Sequence, residues 1–279
     1  MSKARDYKSM WHTFAQKKAR GYLVDKFNPR YSVGFRNLIR HKMLMDALEL
    51  SPTDWMLDAG CASGYQSLAA ASQAQAVDGI DLGDGFIRTA HDAAQEQNMT
   101  NLFFQICSIE ALAFKSATFD RVLCAEVLEH VLQPAVTLAE LARVLKNDGR
   151  LVVSVPNENG NGTWWRRIKG LVFGQRFQPL EDFSMEAVVN HGDAHLRKFD
   201  RASLARFFEE HGLRVRRIRG CGIIDFPFYD QILNRLNRFA FFRSFLLNLE
   251  LFLSRLPLLV RLSRNLIVVA ELPREKNLK

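Results

Sequence analysis

Trp55-Met56-Leu57-Asp58-Ala59-Gly60-Cys61-Ala62-Ser63-Gly64 decides how this chain is read. An apolar run ends in an acid, a small-residue turn follows, and Tyr65 to Ser72 suits a helix. That is a strand, a tight loop and a helix. Glycines let the backbone come close to a ligand, and the N–H groups at a helix start favour electron-rich groups. A second acid comes about twenty residues later, at the end of Val77-Asp78-Gly79-Ile80-Asp81. Ligands of open α/β sheets bind at the carboxyl ends of strands, where Asp58 and Asp81 are both expected. A dinucleotide loop would need three glycines at G-x-G-x-x-G spacing. Gly60, Ala62 and Tyr65 occupy those places, so two of the three are absent.

Outward from this stretch, strands are expected at 55–59, 76–80, 101–106, 119–124 and 150–155. Helices are expected at about 64–73, 85–97 and 134–145, with Pro134 at a helix start and Gly149 past the end. Such alternation implies a parallel sheet with helices on both faces. Asp200 caps a helix over 201–211 that His211-Gly212 closes, followed by a sixth strand at 213–218 and a seventh at 266–270. Upstream, Leu38 to Leu50 has helical apolar spacing and stops at Ser51-Pro52. Residues 1–50 read as a helical cap and 51–279 as one domain with insertions at about 157–199 and 223–264. Long connections of this kind are usually functional.

The motifs resemble those of class I S-adenosylmethionine (SAM) methyltransferases, within them the O-methyltransferases of the ubiquinone pathway. Asp58-x-Gly60-Cys61-x-x-Gly64 resembles the first motif, with Ala62 where the family usually has glycine. Gly79-Ile80-Asp81 is similar to the ribose-binding motif, and Ser108 to Phe114 to the adenine-side loop. Phe119 to Val122 with Glu126-Val127-Leu128-Glu129-His130 resembles the fourth strand and its exit. Arg143 to Arg150 and Val155-Pro156-Asn157 resemble the turn into the fifth strand and its end. The resemblance covers roughly 50–157. It implies a seven-stranded Rossmann-like α/β sheet and a methyl transfer from SAM to a small or lipid-like acceptor, at a hydroxyl oxygen.

It also implies a cofactor site of Asp58, Gly60, Cys61, Ala62, Gly64, Asp81, Leu82, Ser108, Ile109, Glu110 and Glu126. A carboxylate such as Asp81 can accept two charge-assisted hydrogen bonds from vicinal ribose hydroxyls. The catalytic candidates are Glu129 and His130, with His195 in the Asn190 to Arg197 loop as an alternative base. In the ubiquinone-pathway relatives the run matching Glu126, Glu129 and His130 is linked to a divalent metal. Mg²⁺ there is one reading, structural hydrogen bonding the other.

The net charge of +8 divides as +9 over residues 1–45, −5 over 46–222 and +4 over the rest. Basic flanks around a mildly acidic core leave open a plain solvated face, an anionic lipid surface or nucleic acid. Against nucleic acid, no Asn/Asp-Pro-Pro-Tyr type motif for base amines follows strand four. A SAM-binding regulatory or scaffold protein is the alternative from another class.

The scattered Cys61, Cys107, Cys124 and Cys221 read as free thiols of a reducing compartment. The charged first residues lack the apolar core of a signal peptide, so a cytoplasmic site is expected, peripheral to the inner membrane face if lipid is bound. Phe239 to Val260 is apolar but carries Arg243, Glu250 and Arg255, against a membrane span. It reads as an amphipathic lid. Phe242, Phe245, Leu246, Leu249, Phe252 and Leu253 are expected on its apolar side, with Arg243, Ser244, Asn248, Glu250, Ser254 and Arg255 opposite.

Overall fold

The structure, a computed structural model, describes residues 32–160, 197, 199–224 and 239–273. In chain order the elements are α1 (Ser32–Leu48), β1 (Trp55–Ala59), α2 (Tyr65–Ala71), β2 (Ala76–Asp81), α3 (Asp84–Glu96), β3 (Leu102–Ile106) and β4 (Phe119–Ala125). Then follow α4 (Pro134–Val144), β5 (Leu145–Pro156), α5 (Arg201–Glu210), β6 (Arg214–Cys221), α6 (Ala240–Leu253), α7 (Pro257–Val260) and β7 (Asn265–Glu271).

The seven strands form one sheet in the order β3-β2-β1-β4-β5-β7-β6. Side chains on a strand alternate between faces, and the two cores follow that period. Met56, Leu123, Val152, Ile267 and Val269 face one layer, where Phe35, Ile39, Met43 and Leu44 of α1 cover them. Leu57, Val122, Cys124, Leu151, Val153, Leu266 and Val268 face the other, under Leu138 and Leu141 of α4 and Leu204 and Phe208 of α5. Strands buried on both faces read as continuous apolar runs, which is why their direction is hard to infer from sequence. The alternation over 55–155 implied a parallel sheet, and β1 to β5 pair in parallel. β7, outside that alternation, is antiparallel to both β5 and β6.

That reversal matters for the site. Asn265, the first residue of β7, pairs with Pro156 and Cys221, the last residues of β5 and β6. The segment entering β7 therefore lies at the carboxyl edge of the sheet. Asp200 caps α5 as expected, and Ser203 completes a capping box: the Asp200 carboxylate accepts from the Ser203 N–H at 2.8 Å, and Ser203 Oγ accepts from the Asp200 N–H at 2.9 Å.

The lid helix α6 sits about a quarter turn from the expected orientation. Leu246, Glu250 and Ser254 are buried, while Phe241, Phe245 and Phe252 are exposed. Glu250 turns inward because its carboxylate accepts the backbone N–H groups of Ile223 and Ile224, at 2.8 and 2.9 Å. A buried carboxylate is tolerated when hydrogen bonds replace its water. Among the described residues, no helix is long and apolar enough to cross a membrane.

Candidate functional site

The loop between β1 and α2 is held by its backbone. Gly60, Ala62 and Gly64 all have positive φ, at 85°, 47° and 79°. A side chain on Gly60 would run into Val127 in the loop after β4. Gly60 and Cys61 both donate to the Ile80 carbonyl, at 2.8 and 2.9 Å, which stitches the loop to the end of β2.

Asp81 closes this arrangement. One carboxylate oxygen accepts from the Ala62 N–H at 3.0 Å and the other from the Gly83 N–H at 2.8 Å. Its backbone carbonyl accepts from the Cys107 N–H at 3.1 Å, which brings in the 108–114 loop. Glu140 and Arg143 of α4 fix that loop from below, through the Leu112 N–H and the Leu112 and Phe114 carbonyls. Ile109 is buried, Ser108 and Leu82 are half-buried, and Glu110 accepts from the Gln133 N–H at 2.7 Å. The sequence-expected cofactor residues thus surround one loop at the carboxyl edge.

Asp58 lies under the loop and is buried. Burial pushes its carboxyl up to about 7, against the Ser67 hydroxyl, which donates at 2.6 Å and pulls it down; the Asp81 charge adds to the rise. Burial and the Asp58 and Asp81 charges raise the Cys61 thiol well above its ordinary value. It is therefore a packing residue of the loop, not a nucleophile.

The exit from β4 holds the other acids. Glu126 has a φ of 57°, a left-handed backbone unusual outside glycine. Its carboxylate accepts from Arg40 Nη1 at 2.8 Å, Asn265 Nδ2 at 2.7 Å and Ser154 Oγ at 2.8 Å. It thereby ties α1, β5 and β7 together at the site. Glu129 is only 1% exposed, and among the described residues no other side chain or backbone group hydrogen-bonds its carboxylate oxygens. Burial and the Glu126 charge push it well above the usual carboxylate range. His130 Nε2 is 3.8 Å from Glu129 Oε1.

The geometry gives no support to the divalent-ion reading of Glu126, Glu129 and His130. Among the described residues, no three His, Cys, Asp or Glu side chains are grouped to hold a metal ion. Glu126 is spent on three donors, and the environment of Glu129 favours its protonated form. His195 lies outside the described residues, as do His191 and most of the 157–199 insertion. Arg197 donates to the Val131 and Leu132 carbonyls, just past His130.

Sequence reasoning read α1 only as a packing helix and missed Arg40 and His41. The His41 ring meets Tyr65 edge-on at 4.7 Å, beside the glycine loop. Burial, then the Lys42 charge, lower it to about 4, so its imidazole is neutral at pH 7. Their place between the apolar Ile39 and Met43 was the available signal. Asn157 was quoted only as a strand end. Its side chain donates to the Val260, Arg261 and Ser263 carbonyls and seats α7 against β5. A surface concavity of about 230 Å³, lined by Glu49, Arg150, Arg216, Arg217, Val269 and Glu271, lies at the opposite edge of the sheet.

Comparison with known proteins agrees with this geometry. Residues 57–153 match the family model described as a methyltransferase domain. A ubiquinone biosynthesis O-methyltransferase of Coxiella burnetii is 35% identical over 104 residues, covering 37% of this chain and 44% of that protein. That of Leptothrix cholodnii is 30% identical over 167 residues, covering 59% and 66%. The chain thus spans less than half the length of the former. The structure of geranyl diphosphate C-methyltransferase from Streptomyces coelicolor superposes with a TM-score of 0.60 at 16% identity, covering 95% of this chain and 97% of that one. A putative methyltransferase in complex with the Haloferax volcanii Trm112 activator gives 0.58 at 17% identity, covering 96% and 97%. At such identities the likeness concerns the fold. Residues 57–153 match the methyltransferase-domain family, and the sheet that carries them has the fold of the methyltransferase structures on which it superposes.

Proposed function

We propose that this protein transfers the methyl group of SAM to a small or lipid-like acceptor, at a hydroxyl oxygen. The carrying observation is the pairing of Asp81 with the Gly60–Gly64 loop at the carboxyl edge of the sheet. The cradle fits the cofactor. A Cβ at Gly60 would fill the space against Val127, and Asp81 ties the loop to the end of β2 through the Ala62 and Gly83 N–H groups. Gly60, Cys61, Ala62 and Gly64 would hold the methionine part, Asp81 and Leu82 the ribose, and Ser108, Ile109 and Glu110 the adenine. Asp58 orients the loop from beneath.

SAM supplies an already activated methyl on a sulfonium, so the protein's main task is alignment, which can lower a barrier by about 7–11 kcal/mol. A hydroxyl acceptor must also lose its proton. His130, more open than Glu129, takes that proton, with the buried Glu129 carboxyl 3.8 Å from its ring. Glu126 fixes the exit of β4 through Arg40 and Asn265. The O-methyltransferase names of the curated relatives support oxygen over nitrogen or carbon.

Calorimetry with SAM tests the reading. Asp81→Ala should weaken binding by about 1.5–3 kcal/mol, the range for hydrogen bonds to a charged group. Unchanged affinity in a folded variant would refute the assignment. Labelled SAM with fractionated cell extract then identifies the acceptor class. Tight SAM binding with no labelled product from any fraction would instead support a SAM-binding regulator.

A further inference from the structure

The outward face of residues 239–264 carries an apolar stripe that is exposed among the described residues. On α6, Phe241, Phe245 and Phe252 are exposed at 84%, 52% and 59%. They recur at helical spacing, directly opposite the buried Leu246, Glu250 and Ser254. The stripe runs on along the chain through Leu256, Leu258 and Leu262, with Leu258 exposed at 81% and Val260 turned inward. Soluble proteins seldom leave so many large apolar groups open in successive turns without an interaction to serve.

The charge around the stripe has one sign. Between residues 239 and 264, Glu250 is the sole acid, and it is buried under α6. Arg255 and Arg261 are exposed among the apolar residues. The outer surface of this segment therefore carries positive charge and no negative charge. Two copies meeting face to face would oppose arginine to arginine. A surface of negative headgroups over hydrocarbon satisfies both features together.

We propose that the outward face of α6 and α7 docks on an anionic lipid bilayer, with the phenylalanines and leucines entering the interface and Arg255 and Arg261 at the headgroups. The placement suits a lipid-like acceptor. α7 is seated on the end of β5 through Asn157, and Glu250 pins α6 to the residues after β6. Asn265, where the segment re-enters the sheet, bonds Glu126 at the site itself. Docking would bring the carboxyl edge of the sheet, and the candidate acceptor side, to the membrane surface. The inference extends the reading of a lipid-like acceptor, but vesicle binding is measured without SAM and without turnover.

The test is co-sedimentation of the full chain with vesicles of phosphatidylcholine alone or mixed with phosphatidylglycerol, at low and high salt. The wild type should bind the mixed vesicles, and salt should weaken it. Phe241→Ser/Phe245→Ser/Phe252→Ser should lower partitioning by at least about tenfold. Arg255→Gln/Arg261→Gln should lower it about fivefold per arginine at low salt and flatten the salt dependence. Phe241→Trp, at a position open to solvent, should show a blue-shifted difference emission on the mixed vesicles. Equal partitioning of the wild type and the triple variant would overturn the proposal, as would an unshifted tryptophan. So would a wild-type dimer that the triple variant converts to monomer, since the stripe would then belong to a second copy. Calorimetric titration with SAM is independent of all these outcomes, so loss of the cofactor reading is recognised separately.

Discussion

Replacing Asp58 by asparagine should make the protein more stable at neutral and alkaline pH while weakening the cofactor loop. Asp58 is buried beneath that loop, with Ser67 donating to it at 2.6 Å. The folded protein holds the Asp58 proton up to about 7, against an ordinary value of 3.8. A carboxyl that binds its proton more tightly when folded contributes stability at low pH. That contribution is fully present below about 4 and lost as the pH rises to about 7. The slope is about 1.4 kcal/mol per pH unit, so the ionised form costs about 4 kcal/mol once the loss is complete. Asparagine has nearly the same shape, keeps an acceptor for Ser67 and carries no charge. Urea unfolding of both proteins from pH 5 to 8.5 is the assay. The stability of the variant minus that of the wild type should rise steadily to about pH 7 and then stay level. The same variant should bind SAM more weakly. Parallel stability curves across the whole range would refute the argument, because Asp58 would then ionise as freely in the fold as in the unfolded chain.

Two further outcomes follow from the site. Glu129→Gln mimics the neutral acid that burial favours, so stability should hardly change and SAM affinity should persist. Turnover should persist as well, and a fall of about 10²–10⁴-fold in a methylation assay would mean that Glu129 works as an ionised base. Ala62→Gly relieves a left-handed backbone that costs an L-residue about 1–2 kcal/mol, less the added flexibility of glycine, about 0.5–1 kcal/mol. A small gain in urea-unfolding stability is expected, and a clear loss would mean that the Ala62 methyl makes a contact worth more than the strain.

The strand-turn-helix at Trp55–Ala71 was legible because each signal is local. An apolar run, a turn of small residues and a helical period need no distant partner to take their shapes. The same holds for Asp81 at the end of β2 and for the Asp200 cap. The direction of β7 was not legible. Leu266 to Ala270 is buried on both faces, and a run of that kind has the same composition whichever way it points.

The face that α6 turns inward was also hidden. Amphipathic patterning assumes that charge faces water, and Glu250 breaks the rule because two backbone N–H groups, 26 and 27 residues away in the chain, replace its water. The Glu126-x-x-Glu129-His130 spacing was visible, but the use of its acids was not. Arg40 and Asn265 reach Glu126 from 86 and 139 residues away, and burial decides the protonation of Glu129. Sequence alone set the elements and the glycine loop after β1. Only tertiary structure decided which polar groups are paired, which are charged and which apolar face is left open, because those properties depend on neighbours that the folded chain brings together.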